Sequence, residues 1–246
     1  MARVIASLGK GGVGKTIISA MAVKAFSAAG LKVLAIDADP AGGLGLALGL
    51  PTNRTVNDIR MEIIHSIKDG LSNKPDLAAS LDYHLLDALV ERDHVAFLSV
   101  GRPEEEGCYC QLNTLLREAI ELLSRGFDIT VVDAEAGIEQ INRRVMRSVD
   151  TLLLVSDTSL KGMRVASAIA EAAKEATASG EALFLLNRVQ PDEEPGKLAA
   201  SWGHQVAACL PEDDTIYSYD RQERSFLDLP DCPAFLALNT IINRLV

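Results

Sequence analysis

The sequence is short of cysteine, of positive charge and of long apolar runs, and each shortage excludes a class of protein. Four cysteines in 246 residues are too few for a disulfide-stabilised scaffold. No run of about 18 apolar residues occurs, so we expect no membrane-spanning helix. Lys and Arg number 24 against 34 Asp and Glu, a formal charge of −10. Such an acidic chain is poorly suited to nucleic acid or to an anionic membrane surface, and we expect neither as a partner.

The rest of the composition is that of an ordinary globular protein, with 48% hydrophobic and 24% charged residues. The length suits one large domain or two small ones. The first residues pass from a short apolar run directly into glycines, which is not the pattern of a secretory signal peptide. The sequence therefore predicts a cytoplasmic protein.

Short apolar runs alternate with helical patterns along most of the chain. The predicted strands are Val4–Leu8, Lys32–Asp37, Ile129–Asp133, Thr151–Ser156 and Ala182–Asn187. They are continuous in β-branched residues and leucine, as is typical of strands buried on both faces. The predicted helices are Thr16–Ala29, Leu112–Leu123 and Leu160–Ala178. This alternation predicts an α/β fold with a doubly wound, mostly parallel sheet.

The region from Pro51 to Cys110 breaks the regular alternation. It contains a predicted helix over Thr55–Leu71, an irregular stretch at Asn73–Pro75 and a hairpin formed by Ala88–Glu91 and His94–Val100. We interpret this region, at about 51–110, as an insertion at the edge of the sheet within a single domain spanning 1–246.

The most specific motif is Gly9-Lys10-Gly11-Gly12-Val13-Gly14-Lys15-Thr16, which fits the phosphate-loop pattern G-x-x-x-x-G-K-[ST] between a strand and a helix. Its glycines allow successive backbone N–H groups to converge on one phosphate, and the helix N-terminus adds positive potential. Lys15 is expected to reach the β- and γ-phosphates, and the Thr16 hydroxyl to bind Mg²⁺. The alternative, a glycine-rich turn with an incidental lysine, does not explain the full motif.

Three other strand ends carry polar side chains suited to the same site. Asp37 and Asp39 close the second strand, and their spacing places both carboxylates on one side. Asp133 ends a later strand as a Walker B carboxylate does. Asn187 ends another, and its amide can both donate and accept a hydrogen bond, which suits the edge of a base. The alternative in each case is an ordinary turn residue.

A second lysine early in the loop, Lys10, makes the run Lys10–Thr16 resemble the deviant Walker A loop of the MinD, ParA and nitrogenase-iron-protein ATPases. The resemblance implies hydrolysis of ATP to ADP and phosphate by a homodimer, with Lys10 crossing to the partner's nucleotide. It implies that Asp39 positions the attacking water. Asp37 and Asp133 are placed in the outer shell of the Mg²⁺, and Gly137 next to the γ-phosphate.

The same resemblance implies a base pocket near the end of the chain. Asn187 matches the adenine-binding asparagine of these ATPases, with Arg188 beside it. The segment Pro211–Asp214 lies where these ATPases complete the pocket, and we assign Pro211 and Glu212 to it. One departure lies in the loop, because Ile17 replaces the serine or threonine that usually contacts the α-phosphate. We still assign Ile17 to the nucleotide site, with backbone contacts in place of the missing hydroxyl.

The pair Cys108 and Cys110 is the second candidate site. A C-x-C pair in an extended segment places both thiols on one side. Two thiolates are half of a tetrahedral site for a soft divalent metal, so a shared site across a two-fold dimer would complete it. The alternative is two ordinary thiols. Cys209 and Cys232 are isolated and are predicted to pack in the interior.

The segments Val100–Cys110 and Asp133–Glu139 resemble the CooC-type ATPases, which assist nickel insertion into carbon monoxide dehydrogenase. The resemblance implies that Cys108 and Cys110 bind Ni²⁺ or Zn²⁺ at the dimer interface, and that the partner is a client metalloenzyme such as carbon monoxide dehydrogenase. The chain departs from the pattern at Gln140–Arg144, where a His and a Gly are expected, and this leaves the client open.

A MinD- or ParA-like positioning or partition ATPase is the main alternative. The C-terminal segment Pro233–Val246 has Arg244 as its only cation, which predicts a packed helix rather than a membrane-surface helix. A third possibility is electron transfer of the nitrogenase-iron-protein type. Its cluster cysteines are widely spaced, and this sequence has no cysteine near Gly137.

Overall fold

The computed structural model describes residues 3–69, 74–102, 110–134, 145, 148–176 and 180–245. The strands are β1 (Arg3–Gly9), β2 (Val33–Asp37), β3 (Val90–Arg92), β4 (Val95–Ser99), β5 (Ile129–Asp133), β6 (Thr151–Ser156), β7 (Glu181–Val189) and β8 (Val206–Pro211). The helices are α1 (Lys15–Ala28), α2 (Gly43–Leu48), α3 (Val56–Lys68), α4 (Lys74–Ala88), α5 (Cys110–Ser124), α6 (Leu160–Ala176), α7 (Pro195–Trp202), α8 (Asp214–Arg221) and α9 (Pro233–Ile242).

The eight strands form one sheet in the order β3-β4-β2-β5-β1-β6-β7-β8. Only the short edge strand β3 runs antiparallel to its neighbour among the described pairs. The chain therefore has the predicted α/β fold with a mostly parallel sheet. No helix in the described ranges is long and apolar enough to cross a bilayer.

The central strand β1 explains why the apolar runs are continuous. Val4, Ala6 and Leu8 belong to one hydrophobic core, while Ile5 belongs to the core on the opposite face of the sheet. Neighbouring side chains of a strand point to opposite faces, so a strand covered on both sides needs an apolar residue at every position.

The region between β2 and α5 contains the predicted hairpin and differs from the prediction in one detail. Strands β3 and β4 pair antiparallel, and β4 continues the sheet in parallel with β2. The stretch at Asn73–Pro75 was expected to be irregular, but α4 begins at Lys74. A proline in the first helical turn is tolerated because the N–H it lacks has no partner within the helix.

Ala182–Asn187 is the last strand that the sequence predicts, but in the structure β8 follows β7 and pairs with it in parallel. The sequence Val206-Ala207-Ala208-Cys209-Leu210-Pro211 consists largely of small residues, and all but Leu210 are only partly buried. Small, partly buried residues give a weak apolar pattern, so this strand escaped prediction.

The C-terminal helix packs into the interior, as predicted, with Phe235, Leu238, Ile241 and Ile242 buried. Asp213 fixes its start. One carboxylate oxygen of Asp213 accepts a hydrogen bond from the Thr215 N–H of α8 (2.9 Å), and the other accepts one from the Ala234 N–H of α9 (3.0 Å).

A single carboxylate therefore caps two helices. Burial by itself raises the pKa of Asp213, but the N–H donors of Ala234 and Thr215 outweigh it and leave the pKa below its ordinary value.

We predict that Asp213→Ala lowers the free energy of unfolding by roughly 1–3 kcal/mol at pH 7, because it removes both caps. Asp213→Asn should lose less, since the amide oxygen can still cap one helix. The lowered pKa means that the stabilisation is present above the unfolded-state pKa and is lost as the pH falls through the folded-state value. Urea unfolding at pH 7 and pH 3 measures the loss of stability and its dependence on pH. Equal unfolding midpoints for Asp213→Ala and wild type at pH 7 would contradict the capping role of Asp213.

Candidate functional site

The phosphate-loop motif connects β1 to α1 in the middle of the sheet. Gly12 has a φ of +81°, in the left-handed region, and a Cβ built at this position would meet no atom within 4 Å. The loop therefore opens onto free space on this side. The N-terminus of α1 has no side-chain cap and no acidic residue in its first turn. An uncapped helix N-terminus next to an open loop suits a phosphate group.

Lys15 is the first residue of α1 and is only 7% exposed. Its ammonium donates to the backbone carbonyl of Lys10 across the loop, at 3.3 Å. The positive charge is thus held at the loop itself, where β- and γ-phosphates are expected. The Lys10 side chain points elsewhere, and its Nζ lies 3.8 Å from a carboxylate oxygen of Asp157 just after β6.

Two buried carboxylates lie at the ends of adjacent strands. Asp37 on β2 and Asp133 on β5 are register partners, and each is 1% exposed. Asp133 accepts hydrogen bonds from the hydroxyls of Thr16 (2.7 Å) and Ser19 (3.0 Å), both on α1. Asp37 accepts from the N–H groups of Leu44 (2.9 Å) and Asp39 (3.2 Å). The predicted Mg²⁺ residues are therefore close together, and Ser19 is a partner that the motif did not indicate.

Burial dominates the protonation of both carboxylates. It raises the pKa of Asp133 to about 7, assisted by the nearby charge of Asp37 and opposed by the hydroxyls of Thr16 and Ser19. Burial likewise raises the pKa of Asp37 to about 6, against the N–H donors of Leu44 and Asp39. The nearby Lys15 ammonium lowers the pKa of Asp133 but does not outweigh burial. Two close buried carboxylates with raised pKa values are stabilised by a further cation, and hard oxygen donors of this kind fit Mg²⁺.

Asp39 follows β2 in a tight turn. Its carboxylate accepts a hydrogen bond from the Ala41 N–H at 2.8 Å. The next carbonyl, that of Pro40, accepts a hydrogen bond from Arg102 Nε at 2.8 Å. The turn that carries Asp39 is therefore tied to the chain that leaves β4.

A cavity of about 300 Å³ lies beside the loop. It brings together six residues predicted to bind the nucleotide: Gly14, Ile17, Asn187, Arg188, Pro211 and Glu212. The rest of the lining comes from α1, α8, α9 and the residue before α8: Met21, Asp213, Ile216, Tyr217, Asp220 and Ala234. Of these only Asp213 lies in the segment predicted to complete the pocket, and the prediction missed the others. The motifs do not reach α8, so no local pattern marked its residues. The size and mixed lining suit a flat heterocyclic ring.

Three predicted site residues stay outside this geometry. Cys108 and Gly137 lie outside the described residues, and Cys110 is the first residue of α5, where extended chain was expected. Among the residues that are described, no group of three or more His, Cys, Asp or Glu side chains is placed to hold a metal ion. The shared cysteine site therefore remains a prediction.

We predict that Asp133→Asn stabilises the Mg²⁺-free and nucleotide-free protein at pH 8 by roughly 1–3 kcal/mol, because it removes a buried charge. The pKa of Asp133 is raised from 3.8 to about 7 on folding. Its stabilising contribution is thus complete below the unfolded-state value and lost as the pH rises through about 7. Denaturant unfolding from pH 4 to pH 8 should show the two proteins diverging as the pH rises. A constant difference would count against this account.

Comparison with known proteins agrees with this geometry. Residues 4–226 match the family model described as the CobQ/CobB/MinD/ParA nucleotide binding domain. An uncharacterized ATP-binding protein of Methanocaldococcus jannaschii is 34% identical over 93% of this chain and 92% of its own. The carbon monoxide dehydrogenase accessory protein CooC of Rhodospirillum rubrum is 30% identical over 70% of this chain and 69% of its own.

The solved structures include the septum site-determining protein MinD of Pyrococcus horikoshii in complex with Mg-ADP. It superposes with a TM-score of 0.70 at 22% identity, over 100% of this chain and 96% of its own. At this level of identity the superposition shows a shared fold and carries no conclusion about function.

Proposed function

The chain belongs to the CobQ/CobB/MinD/ParA nucleotide-binding domain family and is an ATPase, and we propose that its ATP hydrolysis assists nickel insertion into carbon monoxide dehydrogenase or a related metalloenzyme. The observation that carries the nucleotide site is the convergence of Lys15, Thr16 and Asp133 at one edge of the sheet. The observation behind the maturation role is the Cys108–Cys110 pair in a chain similar to CooC.

Different groups of the site bind the phosphates, bind Mg²⁺ and orient the attacking water. The N–H groups of the loop and the N-terminus of α1 hold the phosphate oxygens, and Lys15 exchanges the Lys10 carbonyl for the β- and γ-phosphates. Thr16 would hold Mg²⁺ directly, with Asp37 and Asp133 in its outer shell, and the ion when bound would neutralise phosphate charge. Asp39 orients the water that attacks the γ-phosphorus, and ADP and phosphate leave.

A link between ATP and the metal cargo is available through Arg102. Its guanidinium donates to the Pro40 carbonyl, next to Asp39, and the chain continues from Arg102 toward Cys108. A movement of the Asp39 turn with nucleotide state would therefore reach the segment that carries the cysteines. Two copies of this chain would supply the four thiolates of a tetrahedral Ni²⁺ or Zn²⁺ site. Lys10 would act across the same homodimer.

A MinD- or ParA-like positioning ATPase is the second candidate. The specific observation in its favour is the likeness of the fold to MinD over the whole chain. The two candidates share the nucleotide site and differ in the cysteine pair, because a positioning ATPase has no use for a shared metal.

We predict that Lys15→Ala abolishes ATP hydrolysis, because it removes the buried ammonium from the loop. Steady-state phosphate release measures the effect. Lys174→Ala is the matched control, since it removes the same charge from an exposed helical pair with Glu171. Near-normal turnover by Lys15→Ala would refute the nucleotide site.

We predict that the double variant Cys108→Ser with Cys110→Ser loses bound Ni²⁺ or Zn²⁺ and keeps ADP binding. Metal analysis of the purified protein, with and without a non-hydrolysable ATP analogue, measures the bound Ni²⁺ or Zn²⁺. Calorimetry measures ADP binding. Cys209→Ser is the control, because this partly buried thiol lies on β8. Unchanged metal content in the double variant would remove the maturation role and leave the positioning ATPase.

A further inference from the structure

Two consecutive residues at the end of β7 both contact the phosphate loop. The Asn187 amide donates to the Val13 carbonyl at 2.8 Å, and the Arg188 guanidinium donates to the Gly12 carbonyl at 3.2 Å. Adjacent side chains of a regular strand point to opposite faces of the sheet. The backbone must therefore depart from strand geometry for both to reach one loop.

That departure is present at Arg188. Its φ is +57°, a left-handed conformation that residues other than glycine adopt rarely. The register between β7 and β8 also shifts between Leu186 and Val189. Gln190 supports the turn by donating to the Arg188 carbonyl, at 3.3 Å, and to the carboxylate of Glu212. Unfavourable backbone geometry of this kind persists where the surrounding structure enforces it, often at functional sites.

The two hydrogen bonds orient peptide units whose N–H groups belong to the loop. In a planar trans peptide the C=O and the following N–H point in opposite directions. Holding the Gly12 carbonyl toward β7 therefore turns the Val13 N–H away from it. In the same way, the Asn187 amide holds the Val13 carbonyl, so the Gly14 N–H points away from β7. Gly14 has a φ of +94°, and a Cβ built at this position would lie 2.4 Å from the Asn187 amide nitrogen. A larger residue here would therefore be strained and would displace the Asn187 amide.

We propose that Asn187 and Arg188 form a strand-end clamp that fixes the phosphate loop in its anion-binding conformation. Both are positioning residues for the phosphates of a nucleoside diphosphate or triphosphate, in addition to any contact with the base. The inference rests on the proposed nucleotide site at Gly9–Thr16. Asn187 and Arg188, which are remote from the loop in sequence, then determine how well the loop binds phosphate.

The test compares a ligand that has phosphates with one that has only the base and sugar. Binding of ADP and of adenosine is measured by competition with a fluorescent ADP derivative, with adenosine taken to millimolar concentration. Arg188→Ala should weaken ADP binding roughly tenfold more than it weakens adenosine binding, and tenfold is the size expected for a lost hydrogen bond from a charged donor. Arg188→Lys should restore part of the loss, since an ammonium can still donate to the Gly12 carbonyl.

Arg188→Gly separates the side chain from the backbone. Glycine adopts a positive φ without strain, so this variant should be at least as resistant to urea as Arg188→Ala. It should nevertheless bind ADP as weakly. Equal weakening of adenosine and ADP, or unchanged ADP binding in Arg188→Ala, would overturn the clamp. Failure of the wild-type protein to bind ADP would instead overturn the proposed nucleotide site.

Discussion

The site depends on the alignment of three adjacent parallel strands, β2, β5 and β1, whose carboxyl ends meet at one edge of the sheet. This alignment places Asp37 opposite Asp133 and sets the phosphate loop beside both. The first two turns of α1 lie against this end of the sheet, so that the hydroxyls of Thr16 and Ser19 each donate to one oxygen of Asp133. The packing of the sheet, rather than contacts within the loop, therefore holds the phosphate loop, the two hydroxyls and the two carboxylates in one arrangement.

Burial gives this arrangement its chemical character. Two carboxylates in the interior have raised pKa values, so near neutral pH the ligand-free site retains protons or carries negative charge that the Lys15 ammonium offsets only in part. Either state is less favourable than a site containing a divalent cation with phosphates. The ammonium of Lys15 donates to a neutral backbone carbonyl, and a phosphate oxygen would be a stronger acceptor. The protein therefore keeps a site whose favourable interactions are completed by Mg²⁺ and nucleotide.

Local sequence patterns predicted the parts of this structure that depend on local chemistry. The strands around β1 and the phosphate loop follow from continuous apolar runs and a motif of fixed spacing. The strand β8 did not, because its small, partly buried residues give a weak pattern. The contacts of Asn187 and Arg188 with the loop were also beyond prediction, since they join residues distant in sequence through an unusual backbone angle. Ser19 became a site residue only when α1 was placed against β5.

The most direct test of the central claim, that this sheet edge is a Mg²⁺–nucleotide site, is the affinity for ADP with Mg²⁺ and with a chelator. It should be measured for the wild-type protein and for Asp133→Asn. We expect Mg²⁺ to strengthen ADP binding to the wild-type protein, and Asp133→Asn to lose this increment while keeping Mg²⁺-independent binding. Equal ADP affinity with and without Mg²⁺ in the wild-type protein, or an increment retained by Asp133→Asn, would contradict it.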